Sequence, residues 1–118
     1  MALTVYGIPN CGTVKKARAW LNERGADHAF VDFRKAPVAR ERVERWVEAL
    51  GAKALRNTSG GSYRALPAEK KTWDDATWVE HFAADPMLIK RPVIERDGVA
   101  VQAGFRGSDD DHAARLLG

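Results

Sequence analysis

Cys11 is the residue whose type, number and position most directly suggest covalent chemistry, since it is the one cysteine in the chain. It stands in Pro9-Asn10-Cys11-Gly12-Thr13, a turn between a strand-like run and a helical one. A thiol at a helix start faces unsatisfied backbone N–H groups and the positive end of the helix dipole, which favour thiolate over thiol. The expected donors are the backbone N–H groups of Gly12 and Thr13, with the Thr13 hydroxyl as a further one. Lys15, Lys16 and Arg18 add positive potential, and Gly12 lets another molecule approach the backbone closely. Lone cysteines often act as small buried hydrophobes. A Pro-Asn-Cys-Gly-Thr turn is neither a strand face nor a helix face, however, so a reactive thiol is expected.

Other chemistries fall away by spacing. A phosphatase-type loop needs an arginine six positions after its cysteine, and position 17 is alanine, with Arg18 one step too far. A Cys-x-x-Cys redox pair fails because position 14 is valine. With no second sulfur, no internal disulfide exists and any turnover must be completed by an external thiol. A zinc site with two or more thiolates is equally excluded. His28, His81 and His112 are scattered without ligand-like spacing and are expected at the surface or at helix ends. Asp109-Asp110-Asp111 is expected to open a helix, where acidic residues favour the dipole, rather than to hold a metal.

The elements that must position Cys11 follow from periodicity. Leu3-Thr4-Val5-Tyr6-Gly7-Ile8 alternates and reads as a strand. From Thr13, Val14, Ala17 and Leu21 recur at helical spacing, and Gly25 stops the helix. His28–Phe33 reads as a second strand. After Pro37, an amphipathic helix carries Val43, Trp46, Val47 and Leu50 on one stripe, ends at Gly51, and pairs Glu41 with Arg45 on its wet face. Asn57–Ser62 is a turn-forming stretch, and a short helical segment starts near Pro67. Asp74 or Asp75 caps a helix bearing Trp78, Val79 and Phe82. Val93–Arg96 is a strand, Asp97-Gly98 a two-residue hairpin turn, and Val99–Val101 its partner. A last helix runs from Asp109 to near Leu117. This order predicts an α/β fold with a mixed sheet.

Composition bounds the rest. The 118 residues suit one domain, with 45% hydrophobic and 30% charged residues as in a soluble globular chain. Nineteen basic against sixteen acidic residues give a formal charge of +3. The signs are interleaved, so charge alone does not point to nucleic acid. Apolar runs of about five residues are too short to span a membrane. With no signal-like start, the protein is expected in the cytoplasm, as a monomer without a bound cofactor.

The run Tyr6-Gly7-Ile8-Pro9-Asn10-Cys11-Gly12-Thr13-Val14-Lys15-Lys16-Ala17-Arg18-Ala19-Trp20-Leu21 resembles the start of the arsenate reductase-like (ArsC/Spx/YffB) family, most of all its YffB-type branch. Leu88-Ile89-Lys90-Arg91-Pro92-Val93-Ile94 resembles a second family motif and Gly104-Phe105-Arg106 a third. The resemblance implies a thioredoxin-like fold with a helical insertion over about residues 35 to 86, and a cis Pro92 facing Cys11. It also implies that Arg91 and Arg106 bind an oxyanion or a glutathione carboxylate, together with a third cation that is Arg56 or its rival Arg64. Two departures stand out. The His-Asn-Pro-Ala usual before the cysteine of arsenate reductases is replaced by Gly7-Ile8-Pro9-Asn10, which weighs against arsenate as the physiological substrate. The Cys-x-x-Cys switch of Spx-type regulators is absent, which weighs against a disulfide-gated regulator.

Two readings of function follow. In the first, the chain is a glutathione-dependent thiol oxidoreductase whose Cys11 thiolate attacks an oxidised substrate and is regenerated by glutathione, with glutaredoxin as a further partner. In the second, it is a non-catalytic adaptor that binds RNA polymerase or another protein, as Spx-type relatives do.

Overall fold

Alternation along the strands sorts the interior into two layers on either side of a mixed sheet. The computed structural model describes all 118 residues. In chain order they form β1 (Leu3–Gly7), α1 (Gly12–Glu23), β2 (His28–Asp32), α2 (Arg40–Leu50), α3 (Ala52–Leu55), α4 (Gly61–Arg64), α5 (Asp75–Ala84), β3 (Val93–Arg96), β4 (Val99–Ala103) and α6 (Asp109–His112). Short 3-10 turns occupy Ala68–Thr72 and Pro86–Leu88, and α6 continues as a wider turn over Ala113–Leu117. The strand order is β2-β1-β3-β4, with β1 parallel to β2 and antiparallel to β3, and β3 antiparallel to β4. No helix is long and apolar enough to cross a membrane.

Leu3 and Val5 of β1 and Ile94 of β3 pack with Ala17, Trp20 and Leu21 of α1 and with Leu116. Tyr6 and Val93 point the other way, into the larger cluster built by Val43, Trp46 and Val47 of α2 and Trp78, Val79 and Phe82 of α5. The apolar stripe read in the sequence is therefore the buried face of α2, with Leu50 partly buried at its end. Asp74 is the cap of α5, its Oδ1 accepting the Thr77 N–H at 2.8 Å. The hairpin turn has φ 52° at Asp97 and 82° at Gly98, the left-handed pair that a two-residue turn of this type needs.

Three expectations are corrected. Arg45 does not pair with Glu41. The ion pair on this face of α2 is Arg40 with Glu44 at 3.1 Å, because Arg40 also reaches Glu80 of α5 and so joins the two helices. The stretch after Asn57 is not all turn, since Gly61–Arg64 closes into one helical turn. His112 does end α6 but is buried rather than superficial, stacked on Phe105 at 3.8 Å between ring centroids and edge-on to Trp20 at 5.6 Å.

β4 contains a bulge. Ile94 faces Gln102 and Glu95 faces Ala100, which leaves Val101 as an extra residue. Ala100 and Ala103 consequently pack into the α2 layer, while Val101 packs into the α1 layer. Gln102, buried, turns to His112 and to the Gly104 carbonyl.

The α2 layer is pinned to the sheet by a buried carboxylate. Glu95 Oε2 accepts from Trp46 Nε1 at 2.7 Å and from Arg42 Nη1 at 2.7 Å, while Oε1 accepts from the same Nη1 at 2.9 Å and from the Tyr6 hydroxyl at 3.3 Å. A buried charge is tolerable when its lone pairs are all used, and removing one member strands the others. Glu95→Ala is therefore expected to cost about 3–5 kcal/mol, because it leaves Arg42 and Trp46 without an acceptor. Urea unfolding of both proteins would check this, and a loss below about 1 kcal/mol would show that water satisfies those donors.

Candidate active site

The two halves of the site come from opposite ends of the chain and meet because of one register. Antiparallel pairing sets Tyr6 against Val93, so the residues that follow β1 and those that precede β3 lie at the same end of the sheet. After β1 comes the turn Ile8–Cys11, closed by the Cys11 N–H donating to the Ile8 carbonyl at 3.3 Å. Before β3 comes Arg91-Pro92, whose peptide bond is cis, with Pro92 buried.

Cys11 is the N-cap residue of α1, half-buried and free. Burial pushes its thiol up. The backbone N–H groups of Val14 and Thr13, and the Arg91 guanidinium by hydrogen bond and by charge, outweigh this and hold the thiol below its ordinary value. The N–H groups that lower it belong to the second and third helical residues, Thr13 and Val14, one residue on from the expected pair, while Cys11 makes no side-chain cap hydrogen bond. Gly12 is exposed, and a Cβ there would meet nothing within 4 Å, so what it contributes is an open approach to the sulfur. The source of charge is corrected as well. Arg18 turns away, its Nε donating to His28 Nε2 at 3.3 Å and its guanidinium lying over Phe30 at 4.3 Å. Arg91, not the helix's own lysines, is the cation at the sulfur.

Beside the sulfur opens a cleft of about 510 Å³. Thr13 and Lys16 of α1 form one wall and Asn57, Thr58 and Ser59 another. The loop Asn57–Ser59 is held there by a bridge between Arg56 and Ile89, with the Asn57 N–H donating to Leu88 at 2.8 Å and the Lys90 N–H to Leu55 at 2.7 Å. Lys90, Arg91, Arg106 and Arg115 complete the lining with Gln102 and its neighbours. Gln102 Nε2 donates to the Gly104 carbonyl at 2.9 Å, and the Gly104 N–H donates to the Pro92 carbonyl at 2.8 Å. These two bonds fix the turn that carries Arg106. Gly104 has φ 79°, and a Cβ there would stand 2.9 Å from the Lys90 side chain, so glycine is required both by the backbone and by that close crossing.

Of the expected site residues, Thr13, Arg91 and Arg106 line the cleft. Cys11, Gly12 and Pro92 do not line it but adjoin it, Cys11 through the Thr13 N–H and the Arg91 guanidinium and Pro92 through its peptide bond to Arg91. Arg56 and Arg64 are outside the lining as well. The Arg56 guanidinium lies over Trp78 at 5.1 Å with its Nε buried and unpartnered. Arg64 donates from Nη1 to the Ser59 carbonyl at 2.8 Å, bracing the wall from outside. The further cations of the cleft are Lys16, Lys90 and Arg115. Arg115 had no sequence signal, since it arrives on the last turn of the chain. Lys90 stood inside the quoted motif, but nothing in the motif said which way it points. Asp109–Asp111 serve the helix start, where Ser108 and Asp111 exchange cap bonds at 3.0 and 3.1 Å.

A family model described as the ArsC family matches residues 6–110. The chain belongs to the ArsC family. The uncharacterized protein YusI of Bacillus subtilis is 37% identical over 110 residues, covering 90% of this chain and 92% of that one. The solved structure of the YFFB (PA3664) protein superposes with a TM-score of 0.84 at 36% identity, over 97% of this chain and 98% of that one. A possible arsenate reductase from Streptococcus mutans UA159 gives 0.81 at 36% identity, over 92% and 95%. The α/β fold with its four-stranded mixed sheet matches the thioredoxin-like structures of this family. As an ArsC-family member the chain is related to arsenate reductases.

The lowered thiol has a measurable consequence. The rate of Cys11 alkylation should rise with pH to a midpoint below the free-cysteine value of about 8.5, and Arg91→Ala should move that midpoint upward. The sign for stability follows. The folded protein favours the thiolate, so this contribution is present above the unfolded thiol's pKa and fades as pH falls through the folded one. A midpoint at or above the free-cysteine value in the native protein would remove the activated thiolate.

Proposed function

We propose that this ArsC-family chain is a glutathione-linked thiol oxidoreductase that works through Cys11 alone. The observation that carries the reading is a thiol at the start of α1, lowered by the helix N–H groups and Arg91, beside a cleft lined with cations. An adaptor with one cysteine has no disulfide switch for an activated sulfur to serve, which favours the enzyme over the adaptor.

The chemistry balances with external thiols. The Cys11 thiolate attacks the glutathione sulfur of a mixed disulfide, a Cys11–S–S–glutathione bond forms, and the other thiol leaves with the electron pair of the broken S–S bond. A second glutathione, or glutaredoxin, attacks the adduct and releases the Cys11 thiolate and a disulfide. Thr13 and Val14 N–H groups steady the sulfur while it carries charge, and Arg91 and Arg106 hold the glutathione carboxylates through paired N–H donors. Pro92 supplies the buried floor beside Arg91. No bound cofactor or metal enters these steps. With glutathione as reductant, the reading is of a cytoplasmic protein, and its steps call on the groups of one copy and on no nucleic acid or membrane.

Intact-mass measurement after incubation with oxidised glutathione should show one adduct per chain, absent in Cys11→Ser, and never an internal disulfide. Arg91→Ala should weaken binding of a non-reactive glutathione analogue about ten- to a hundredfold, the worth of a charge-assisted hydrogen bond of about 1.5–3 kcal/mol. Arg91→Lys, which keeps the charge, should retain more of the thiolate reactivity than of the affinity. An unmodified Cys11 in excess oxidised glutathione, together with resistance to alkylation, would overturn the oxidoreductase reading.

A further inference from the structure

We infer that the cleft beside Cys11 selects its disulfide partner by negative charge, favouring a multiply anionic carrier that bears no ammonium group. This deepens the thiol-exchange reading and rests on it. Five cationic side chains, Lys16, Lys90, Arg91, Arg106 and Arg115, line the cleft and no carboxylate does. None of the five forms an ion pair within the chain, so what distinguishes them is their gathering around one cleft. The Arg91 Nε is buried and has no partner at all.

Clustered like charges repel and are relieved by a ligand that brings several anionic oxygens at once. Arg91 borders both the sulfur and the cleft, and Lys16, Lys90, Arg106 and Arg115 line the space that a ligand would enter. Glutathione meets this cleft imperfectly. Its two carboxylates find cations, but its α-ammonium finds no acid among the lining residues. A thiol carried on phosphates or sulfonates offers only groups that the cleft matches, and Asn57, Thr58 and Ser59 add neutral donors to its lining.

The step is ordinary exchange with a symmetric disulfide. The Cys11 thiolate attacks one sulfur, the new Cys11–S–S–carrier bond forms, the old S–S bond breaks, and the second carrier leaves as a thiolate that takes its proton from water. Cys11 is oxidised and one carrier sulfur reduced.

Three probes differing only in headgroup isolate the charge: cystamine (cationic), bis(2-hydroxyethyl) disulfide (neutral) and bis(2-sulfonatoethyl) disulfide (anionic). Rates of adduct formation on the native protein are followed by intact mass, each divided by the rate of the same disulfide with free 2-mercaptoethanol. The sulfonate should react at least about tenfold faster than cystamine, with the gap closing between about 0.05 and 0.5 M salt. Coenzyme A disulfide, rich in phosphate, should outpace glutathione disulfide on the same scale. The double variant Lys90→Gln/Arg115→Gln should bring the sulfonate-to-cystamine ratio down severalfold, while Lys53→Gln, an exposed lysine outside the cleft, should leave the ratio unchanged. If the neutral disulfide modifies Cys11 but the sulfonate is no faster than cystamine, charge selection is wrong and the thiol-exchange reading stands. If none of the three modifies Cys11, the thiol-exchange reading fails and charge selection fails with it.

Discussion

Burial of the Glu95 carboxylate is the constraint on which the arrangement of layers depends. The group lies on a central strand under a helix, where an unpaired charge would be intolerable. Its partners come from two elements, Tyr6 from β1 and Arg42 and Trp46 from α2, and so join both to β3. Satisfying it therefore fixes α2 in both position and rotation over the sheet. The same contacts stiffen the β1–β3 pair, and the end of that pair is where the Cys11 turn and the Arg91-Pro92 corner meet. The site thus inherits its precision from a polar network on the far side of the sheet from α1.

The sulfur and its helix form a single electrostatic unit. A serine or aspartate usually caps a helix by accepting the N–H groups of its second and third residues, and Cys11 stands at that position without a side-chain cap bond. The N–H groups of Val14 and Thr13 nevertheless lower its thiol, so the start of α1 favours charge on the nucleophile. Arg91 adds a cation from a different part of the chain, its Nη1 donating to the Met87 sulfur at 3.8 Å while its charge also lowers Cys11.

What could be read from the sequence was local. The turn holding Cys11, the stripe of α2, the Asp97-Gly98 hairpin and the aspartate cap of α5 each follow from residues a few positions apart. The motif around Arg91-Pro92 and the Gly104-Phe105-Arg106 turn carried the resemblance that paired them with Cys11. The contributions that went unread are those that depend on tertiary placement. Arg115 enters the cleft only because the last turn packs under Trp20 and Phe105. Arg56 looked like a cleft cation, yet its side chain is drawn over the Trp78 ring. His112 gave no sign of burial, since its partners Gln102 and Phe105 reach it through a bulge and a turn that periodicity does not reveal.

The bulge at Val101 has a consequence for how this chain can change length over evolution. Strand β4 crosses from one packing layer to the other through a single unpaired residue. Losing that residue would restore strict alternation and rotate everything beyond it by half a turn, carrying Gln102 away from the Gly104 carbonyl and the Arg106 loop out of the cleft. Adding one would do the same. A single insertion or deletion in β4 would therefore disrupt the cleft, whereas a compensating pair would leave the far end of the strand in place.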